Sequence, residues 1–146
     1  MNSLRASQKT VGRTKHTGYQ AGVRRTFAVP PNQVWDFLTS EAGLQFWVGE
    51  ISNLNLEKGA SYQTDDGTSG KIAAVTPGRH IRLTWQPAGW SQSSTLQVRV
   101  IPNREKTTIS FHQENLTGPE HRASMLEHWK AVLIRMGELL DNRATG

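Results

Sequence analysis

The sequence predicts an α+β domain in which one long amphipathic helix crosses the apolar face of an antiparallel sheet. Two periodicities carry this prediction. Between residues 51 and 114 apolar and polar side chains alternate, which is typical of strands with one buried face. From about residue 119 to 141 the apolar positions follow helical spacing. A helix of that length spans about 35 Å, enough to cover a sheet.

The first regular element is predicted at residues 23–29, where apolar side chains alternate as in a strand. One face of this strand carries Val23, Arg25, Phe27 and Val29. Pro30 and Pro31 end the strand and open a helix, because a proline in the first helical turn lacks only an N–H that would be unpaired there. Arg25 therefore shares an inward face with Phe27.

Two short helices follow the prolines. The apolar stripe of the first is spaced i, i+1, i+3 and i+4. Its members are Val34, Trp35, Phe37 and Leu38. Thr39 and Ser40 end this helix, and they supply a cap for a second helix at about residues 41–47.

Six further strands are predicted from the alternation and the turns between them. They cover residues 51–56, 60–65, 69–76, 80–86, 94–101 and 106–114. Asp66-Gly67 and Pro77-Gly78 are typical of tight turns. Short connections between consecutive strands favour an antiparallel meander, which with the first strand makes about seven strands.

The chain of 146 residues predicts a single domain, at residues 23–142, with a flexible basic leader (1–22) and a flexible tail (143–146). The formal net charge is +5, and the basic excess precedes the first acid, Asp36. A basic segment attracts nucleic acid in general. Because the leader has no aromatic platform and no binding motif, the sequence argues against nucleic acid as a partner.

The composition also limits compartment and chemistry. The chain has no cysteine, which excludes disulfides, thiolate metal sites and cysteine nucleophiles. No apolar leader of a secreted protein is present, and no run approaches the length of a membrane span, so we expect no membrane insertion. These features predict a cytoplasmic protein.

The histidines and carboxylates do not form a catalytic or metal-binding pattern. His121 and His128 are two helical turns apart, so their Cβ atoms lie about 10 Å apart, too far to chelate one ion unaided. Hydrolase, metalloprotease and phosphate-loop motifs are absent. No carboxylate falls on a clear inward position. The sequence thus predicts no catalytic residue, no metal ligand and no cofactor, and it favours a protein that is not an enzyme.

Three blocks of the chain carry a resemblance to a known family. They are RRTFAVPPNQVWDFLTSEAGLQFWVG (24–49), GKIAAVTPGRHIRLTWQ (70–86) and EHWKAVLIRMGELL (127–140). The sequence resembles the START-like (SRPBCC) superfamily, in the branch similar to the C-terminal domain of activators of the 90-kDa heat-shock chaperone ATPase. The resemblance covers about residues 22–142. It implies the helix-grip fold, in which a curved sheet wraps the long C-terminal helix around a cavity and the two short helices close one end.

The resemblance also implies a candidate ligand-binding set, contributed by the short helices, the sheet and the long helix. Its apolar and aromatic members are Phe37, Trp47, Tyr62, Trp85, Phe111, Met125, Trp129 and Leu133. Arg25 is the candidate anchor for an acidic head group, since a buried arginine needs an anionic partner. The alternative is that the aromatic residues are ordinary core and that Arg25 is a structural or edge residue.

The function predicted from these features is binding of an unidentified hydrophobic or amphipathic small molecule, lipid- or polyketide-like, in the cavity between sheet and helix. One alternative is a regulator of a chaperone ATPase or a protein-interaction module, as the resemblance implies. A second alternative is a cyclase- or dehydrase-like enzyme that acts through cavity shape. An inward His–Asp pair would favour the enzyme, and an exposed apolar patch would favour a protein partner.

Overall fold

The computed structural model describes residues 13–14, 18–51 and 54–145, with side chains described for 18–51 and 54–141. The strands are β1 (Arg13–Thr14), β2 (Gly18–Phe27), β3 (Ser61–Gln63), β4 (Ser69–Thr76), β5 (His80–Trp85), β6 (Ser94–Asn103) and β7 (Lys106–Leu116). The helices are α1 (Pro31–Thr39), α2 (Glu41–Trp47) and α3 (Pro119–Thr145). Within these residues no helix is long and apolar enough to cross a membrane.

The strands form one antiparallel sheet in the order β1-β2-β7-β6-β5-β4-β3. Consecutive strands from β3 to β7 are neighbours, as short hairpins favour, and β2 adds to the far side of β7. The predicted alternation is confirmed where Ile81 pairs with Val98 and Leu83 with Leu96, since all four side chains are buried. The prediction of an α+β helix-grip fold is confirmed.

Helix α3 packs its apolar stripe against the sheet. The buried residues of the helix are Trp129, Val132, Leu133, Met136, Gly137 and Leu140, at helical spacing. A Cβ at Gly137 would lie 3.1 Å from the ring of Phe27, so the missing side chain lets the helix approach β2 closely. The core therefore lies between α3 and one face of the sheet.

Helices α1 and α2 cover one end of this core through a tight junction at Ser40. The Ser40 hydroxyl accepts a 3.0 Å hydrogen bond from the backbone N–H of Gly43, which confirms the predicted cap of α2. The indole Nε1 of Trp47 donates to the backbone oxygen of Leu38 at 2.9 Å. Because both bonds join α2 to the end of α1, the two short helices hold each other in place.

The predicted strand at residues 51–56 is wrong. Ile51 and residues 54–56 are not in a strand, and residues 52–53 lie outside the described part. The apolar side chains of Ile51, Leu54 and Leu56 are half-buried against the core. Leu54 and Leu56 alternate with polar neighbours as in a strand, but all three side chains pack on the core without a strand partner, which is why the pattern misled the prediction.

The predicted strand at 60–65 shortens to Ser61–Gln63. The chain turns away at Thr64, whose hydroxyl accepts a 3.1 Å hydrogen bond from the backbone N–H of Thr68. Gly67 takes the left-handed backbone conformation within this turn, at φ 94°. The turn therefore starts two residues earlier than the Asp66-Gly67 pair suggested.

The predicted boundaries also shift at both ends. Strand β2 begins at Gly18 rather than at residue 23, because Tyr19 and Ala21 pair with the end of the long strand β7. Part of the predicted leader is thus a strand, and residues 1–12 and 15–17 lie outside the described part. Helix α3 continues to Thr145, into the predicted tail.

Candidate functional site

Four buried aromatic side chains meet between the sheet and α3, and we name them the aromatic cluster: Trp47, Trp85, Phe111 and Trp129. Phe111 and Trp129 stack nearly parallel, with ring centroids 4.6 Å apart. Trp85 meets Trp129 edge-on at 5.3 Å, and Trp47 meets Phe111 at 6.0 Å. Both arrangements are favourable for aromatic quadrupoles. The cluster joins α2, β5, β7 and α3 in one contact network.

A chain of buried hydrogen bonds runs beside the aromatic cluster. Trp129 Nε1 donates to Gln113 Oε1 at 2.8 Å, and Gln113 Nε2 donates to Ser94 Oγ at 2.9 Å. Ser94 Oγ in turn donates to the backbone oxygen of Trp85 at 2.6 Å. Each donor is matched with an acceptor, as buried polar groups require. This chain fixes the position of α3 relative to β5, β6 and β7.

The indole nitrogen of Trp85 is the exception. Trp85 is only 5% exposed, and its Nε1 has no hydrogen-bond partner among the described residues. An unpaired donor at a buried position is uncommon in folded proteins and calls for a physical explanation. It lies at the end of β5, where Trp85 pairs with Ser94 and faces α3.

His128 packs against the rings of Trp129 and Trp85. Its ring is 4.5 Å from that of Trp129 and 6.4 Å from that of Trp85, although part of the side chain is exposed. Burial against these rings lowers the pKa of His128, and the nearby negative charge of Asp66 acts in the opposite direction. The helix and the β3–β4 turn therefore approach each other at this end of the fold.

Asp66 is held in the β3–β4 turn by local hydrogen bonds. Its carboxylate accepts from the Thr64 hydroxyl and, at 3.2 Å, from the backbone N–H of Thr68. The hydrogen bond from Thr64 is the main cause that lowers the pKa of Asp66, and the bond from the Thr68 backbone lowers it further. The carboxylate is therefore anionic at neutral pH, and its charge acts on His128.

A second aromatic contact covers the first turn of α3. The ring of Trp90 stacks on that of His121 at 4.2 Å, with the planes 9° apart. Gln86 Nε2 donates to the backbone oxygen of Trp90 at 2.7 Å, and the Thr117 hydroxyl lies 2.9 Å from His121 Nδ1. The β5–β6 loop is thereby attached to the start of α3.

The structure brings most of the sequence-predicted site residues into one core. Phe37, Trp47, Tyr62, Trp85, Phe111, Trp129 and Leu133 are buried, and Met125 is half-buried at its margin. The Tyr62 hydroxyl donates to the backbone oxygen of Thr84, and burial raises the pKa of Tyr62. The rings of the aromatic cluster are in contact with one another across the space between sheet and helix. Ligand binding by these residues stays a prediction.

Arg25 departs from its predicted position. It shares the strand face of Phe27, since its guanidinium carbon lies 5.8 Å from the Phe27 ring centroid. Yet the Arg25 side chain is exposed, whereas the alternation along the strand predicted that it would be buried. The reason is that β2 lies near the edge of the sheet, where a long side chain passes the border of α3 and reaches water. A role for Arg25 in binding stays a prediction.

Sequence reasoning missed three polar participants of this region, namely Ser94, Asp66 and His128. Gln113 of β7 is completely buried. No local signal reveals that Ser94 accepts from Gln113, because the contact depends on the register of β6 and β7. Among residues 18–51 and 54–141, no group of three or more histidine, aspartate or glutamate side chains is placed to hold a metal ion.

The family model named "Activator of Hsp90 ATPase homolog 1-like protein" matches residues 28–141, and the chain belongs to this family. No curated protein sequence matches the chain. The matched region contains α1, α2, the meander and most of α3, so the resemblance seen in the sequence is confirmed.

Several solved structures share the fold. CalU16 from Micromonospora echinospora is 19% identical, with a TM-score of 0.72, over 82% of this chain and 73% of its own. The Aha1 dimer from Colwellia psychrerythraea is 18% identical, with a TM-score of 0.69, over 83% and 95%. An HSP90 activator from Plasmodium falciparum is 20% identical, with a TM-score of 0.58, over 66% and 73%. At such identities the likeness establishes the fold alone.

Proposed function

We propose that the protein binds a small amphipathic molecule between the sheet and the N-terminal half of α3, next to Trp85. The observation that carries this proposal is the buried Nε1 of Trp85, which has no acceptor among the described residues. A buried donor without a partner costs about 1–3 kcal/mol. A ligand oxygen or nitrogen that accepts this bond would remove that cost, so the position favours a ligand with at least one acceptor.

The neighbouring side chains favour an apolar, flat body for the rest of the ligand. Trp129 and Phe111 are stacked aromatic rings, and a cyclic or conjugated molecule would pack well against their faces once the rings separate. Met125 is half-buried at the margin, and its flexible thioether adapts to different shapes. His128 and Asp66 supply polar groups at the rim.

Binding at this position requires side chains to move, because the rings are already in contact. The part of α3 before Trp129 is suited to such movement. None of its residues is buried, whereas six residues from Trp129 to Leu140 are. Segments with few buried contacts open at low free-energy cost. We therefore expect α3 to move away from the sheet where it covers Trp85, with Met125 and His128 displaced first.

Native mass spectrometry of the freshly purified protein, compared with a denatured sample, tests the proposal. A bound mass that disappears on denaturation supports a ligand and identifies its class. The second step is titration with fatty acids, flavonoids and polyketide-like aromatics, followed by the indole N–H resonances in NMR spectra. We expect the Trp85 resonance to move downfield as it gains an acceptor.

A pair of tryptophan variants supplies the control. Trp85→Phe removes the donor but keeps an aromatic ring, and it should weaken binding about tenfold, as loss of a bond of about 1.4 kcal/mol predicts. Trp35→Phe changes a half-buried tryptophan on α1, outside the cluster, and should bind as the parent does. Equal affinity of all three proteins would contradict the proposal.

A second candidate function is regulation of an Hsp90-type chaperone, and the family match over residues 28–141 favours it. The likeness to an HSP90 activator supports the same class of partner. Adding the protein to a purified Hsp90 and measuring ATP hydrolysis tests this candidate. A rate that changes with protein concentration and saturates supports it, and an unchanged rate together with no complex in gel filtration rejects it.

A further inference from the structure

A second concave site lies on the same face of the sheet as Trp85 but nearer its other edge, between β2 and α3. We name it the β2–α3 groove, and its volume is about 310 Å³. Its lining residues are Val23, Arg24, Arg25, Lys130, Leu133 and Ile134. Strands β7 and β6 separate β2 from β5 in the sheet, so the groove is distinct from the position next to Trp85.

The floor of the groove is apolar. Leu133 is buried beneath it, and Val23 is half-buried on the strand side. Ile134 is 54% exposed, and it is the large hydrophobic side chain that stands out as exposed in the described part of the chain. Contact with an apolar chain would bury the Ile134 side chain and release water from it.

The rim of the groove is cationic. Arg24, Arg25 and Lys130 line it, and no acidic residue does. Neither of the ion pairs between described residues includes any of these three side chains. The Arg25 guanidinium lies over the Phe27 ring, and its Nη2 is 3.9 Å from where a Cβ on Gly137 would lie, which places its charge at the border of the apolar floor. The groove thus combines uncompensated positive charge with an apolar surface.

From this combination we infer that the β2–α3 groove binds a free, single-chain amphipathic anion, with its carboxylate or sulfate at Arg25 and Lys130 and its apolar chain along Val23, Leu133 and Ile134. The volume lies at the lower end of the range for small-molecule sites, about 300–1,000 Å³. Arginine matches a carboxylate through two parallel hydrogen bonds. A membrane surface fits less well, because a single strongly exposed apolar side chain offers little area for insertion.

The test uses monomeric dodecanoate, below its micelle concentration, as the probe. Methyl NMR spectra should show shifts at Val23, Leu133 and Ile134, and calorimetry should give an affinity that falls as salt is added. Dodecyl maltoside, which has the same chain and no charge, should bind about tenfold more weakly or worse. Vesicles of anionic phosphatidylglycerol should not retain the protein.

Charge-reversal variants locate the site. Arg25→Glu and Lys130→Glu should each weaken dodecanoate binding by about tenfold or more, since each places a negative charge next to the head group. Arg82→Glu changes an exposed arginine of β5 outside the groove, and it should bind as the parent does. All three positions are exposed, so the variants should fold.

Each contrary result has a definite meaning. Equal binding of maltoside and dodecanoate, or equal loss in all three variants, overturns the inference, because binding would then not depend on the charge of the groove. Binding to vesicles without binding to the monomer also overturns it. If dodecanoate shifts the Trp85 N–H and leaves the groove methyls unmoved, the groove inference fails while the proposed function gains support.

Discussion

The indole Nε1 of Trp129 donates a 2.8 Å hydrogen bond to Oε1 of Gln113, and this bond joins the long helix to an inner strand of the sheet at a point where both side chains are fully buried. Gln113 donates onward to Ser94. Because a buried network of this kind is satisfied in one arrangement only, it fixes the position of α3 on the sheet more narrowly than apolar packing alone.

We expect Gln113→Leu to lower the free energy of unfolding by about 1–3 kcal/mol, because the Trp129 N–H then stays buried without an acceptor. Trp129→Phe should lower the free energy of unfolding by an amount in the same range, because the Gln113 oxygen then loses its donor. The double variant should lose less free energy of unfolding than the sum of the losses in the two single variants, as expected for groups in direct contact. Urea unfolding of the four proteins measures this coupling. Gln33→Leu, at an exposed glutamine of α1, is the control and should change stability by less than about 0.5 kcal/mol.

Trp129→Ala separates core packing from cavity lining. The ring stacks on Phe111 and meets Trp85, so we expect a loss of about 3–5 kcal/mol in urea unfolding, as for a large aromatic core residue. A smaller loss together with a larger drop in ligand affinity would assign Trp129 to a cavity wall. No change in either quantity would contradict the packing of α3 on the sheet.

Gly43→Ala should destabilise the junction of α1 and α2. A Cβ at this position would overlap the backbone oxygen of Phe37, so the two helices must separate, at a cost of about 1–3 kcal/mol. Gly118→Ala is the matched control, since no atom lies within 4 Å of its added Cβ. It should change stability by less than about 1 kcal/mol. Thermal unfolding distinguishes the two, and equal midpoints would show that the junction tolerates the extra atom.

His128 should titrate below the ordinary histidine pKa of about 6.5, because burial against the rings of Trp85 and Trp129 disfavours its charged form. NMR titration of the ring protons measures this. Asp66→Asn removes the charge that partly opposes the effect, so the pKa of His128 should fall further. Asp65→Asn, at the neighbouring exposed aspartate, should leave it unchanged.

The same shift predicts how stability depends on pH. The unfolded chain takes up the His128 proton at a higher pH than the folded chain does, so the folded state loses stability as pH falls through about 6.5 towards the lower folded pKa. His128→Gln should remove this part of the pH dependence. An unchanged pH profile in that variant would show that the ring is not buried enough to matter.

Local patterns were sufficient for the regular elements that bury one continuous face. Helix α2 occupies Glu41–Trp47, as the cap at Ser40 predicted. Alternation was sufficient for β5 and β6, whose inward side chains Ile81, Leu83, Leu96 and Val98 are all buried. It failed at residues 51–56, because a segment that rests on the core without pairing produces the same pattern as a strand.

The sequence by itself therefore determined the two periodicities, the caps and turns, and through them the helix-grip fold and most of the side chains that face inward. Only the tertiary structure decided that Trp85 keeps an unpaired donor, that Gln113 reaches Trp129, and that Arg25 emerges beside Lys130 at the edge of α3. The physical reason is the distance along the chain over which each kind of interaction acts. Backbone propensity and side-chain parity act over a few residues, whereas hydrogen-bond partners and groove walls come from strand register and helix position, which join residues far apart in the chain.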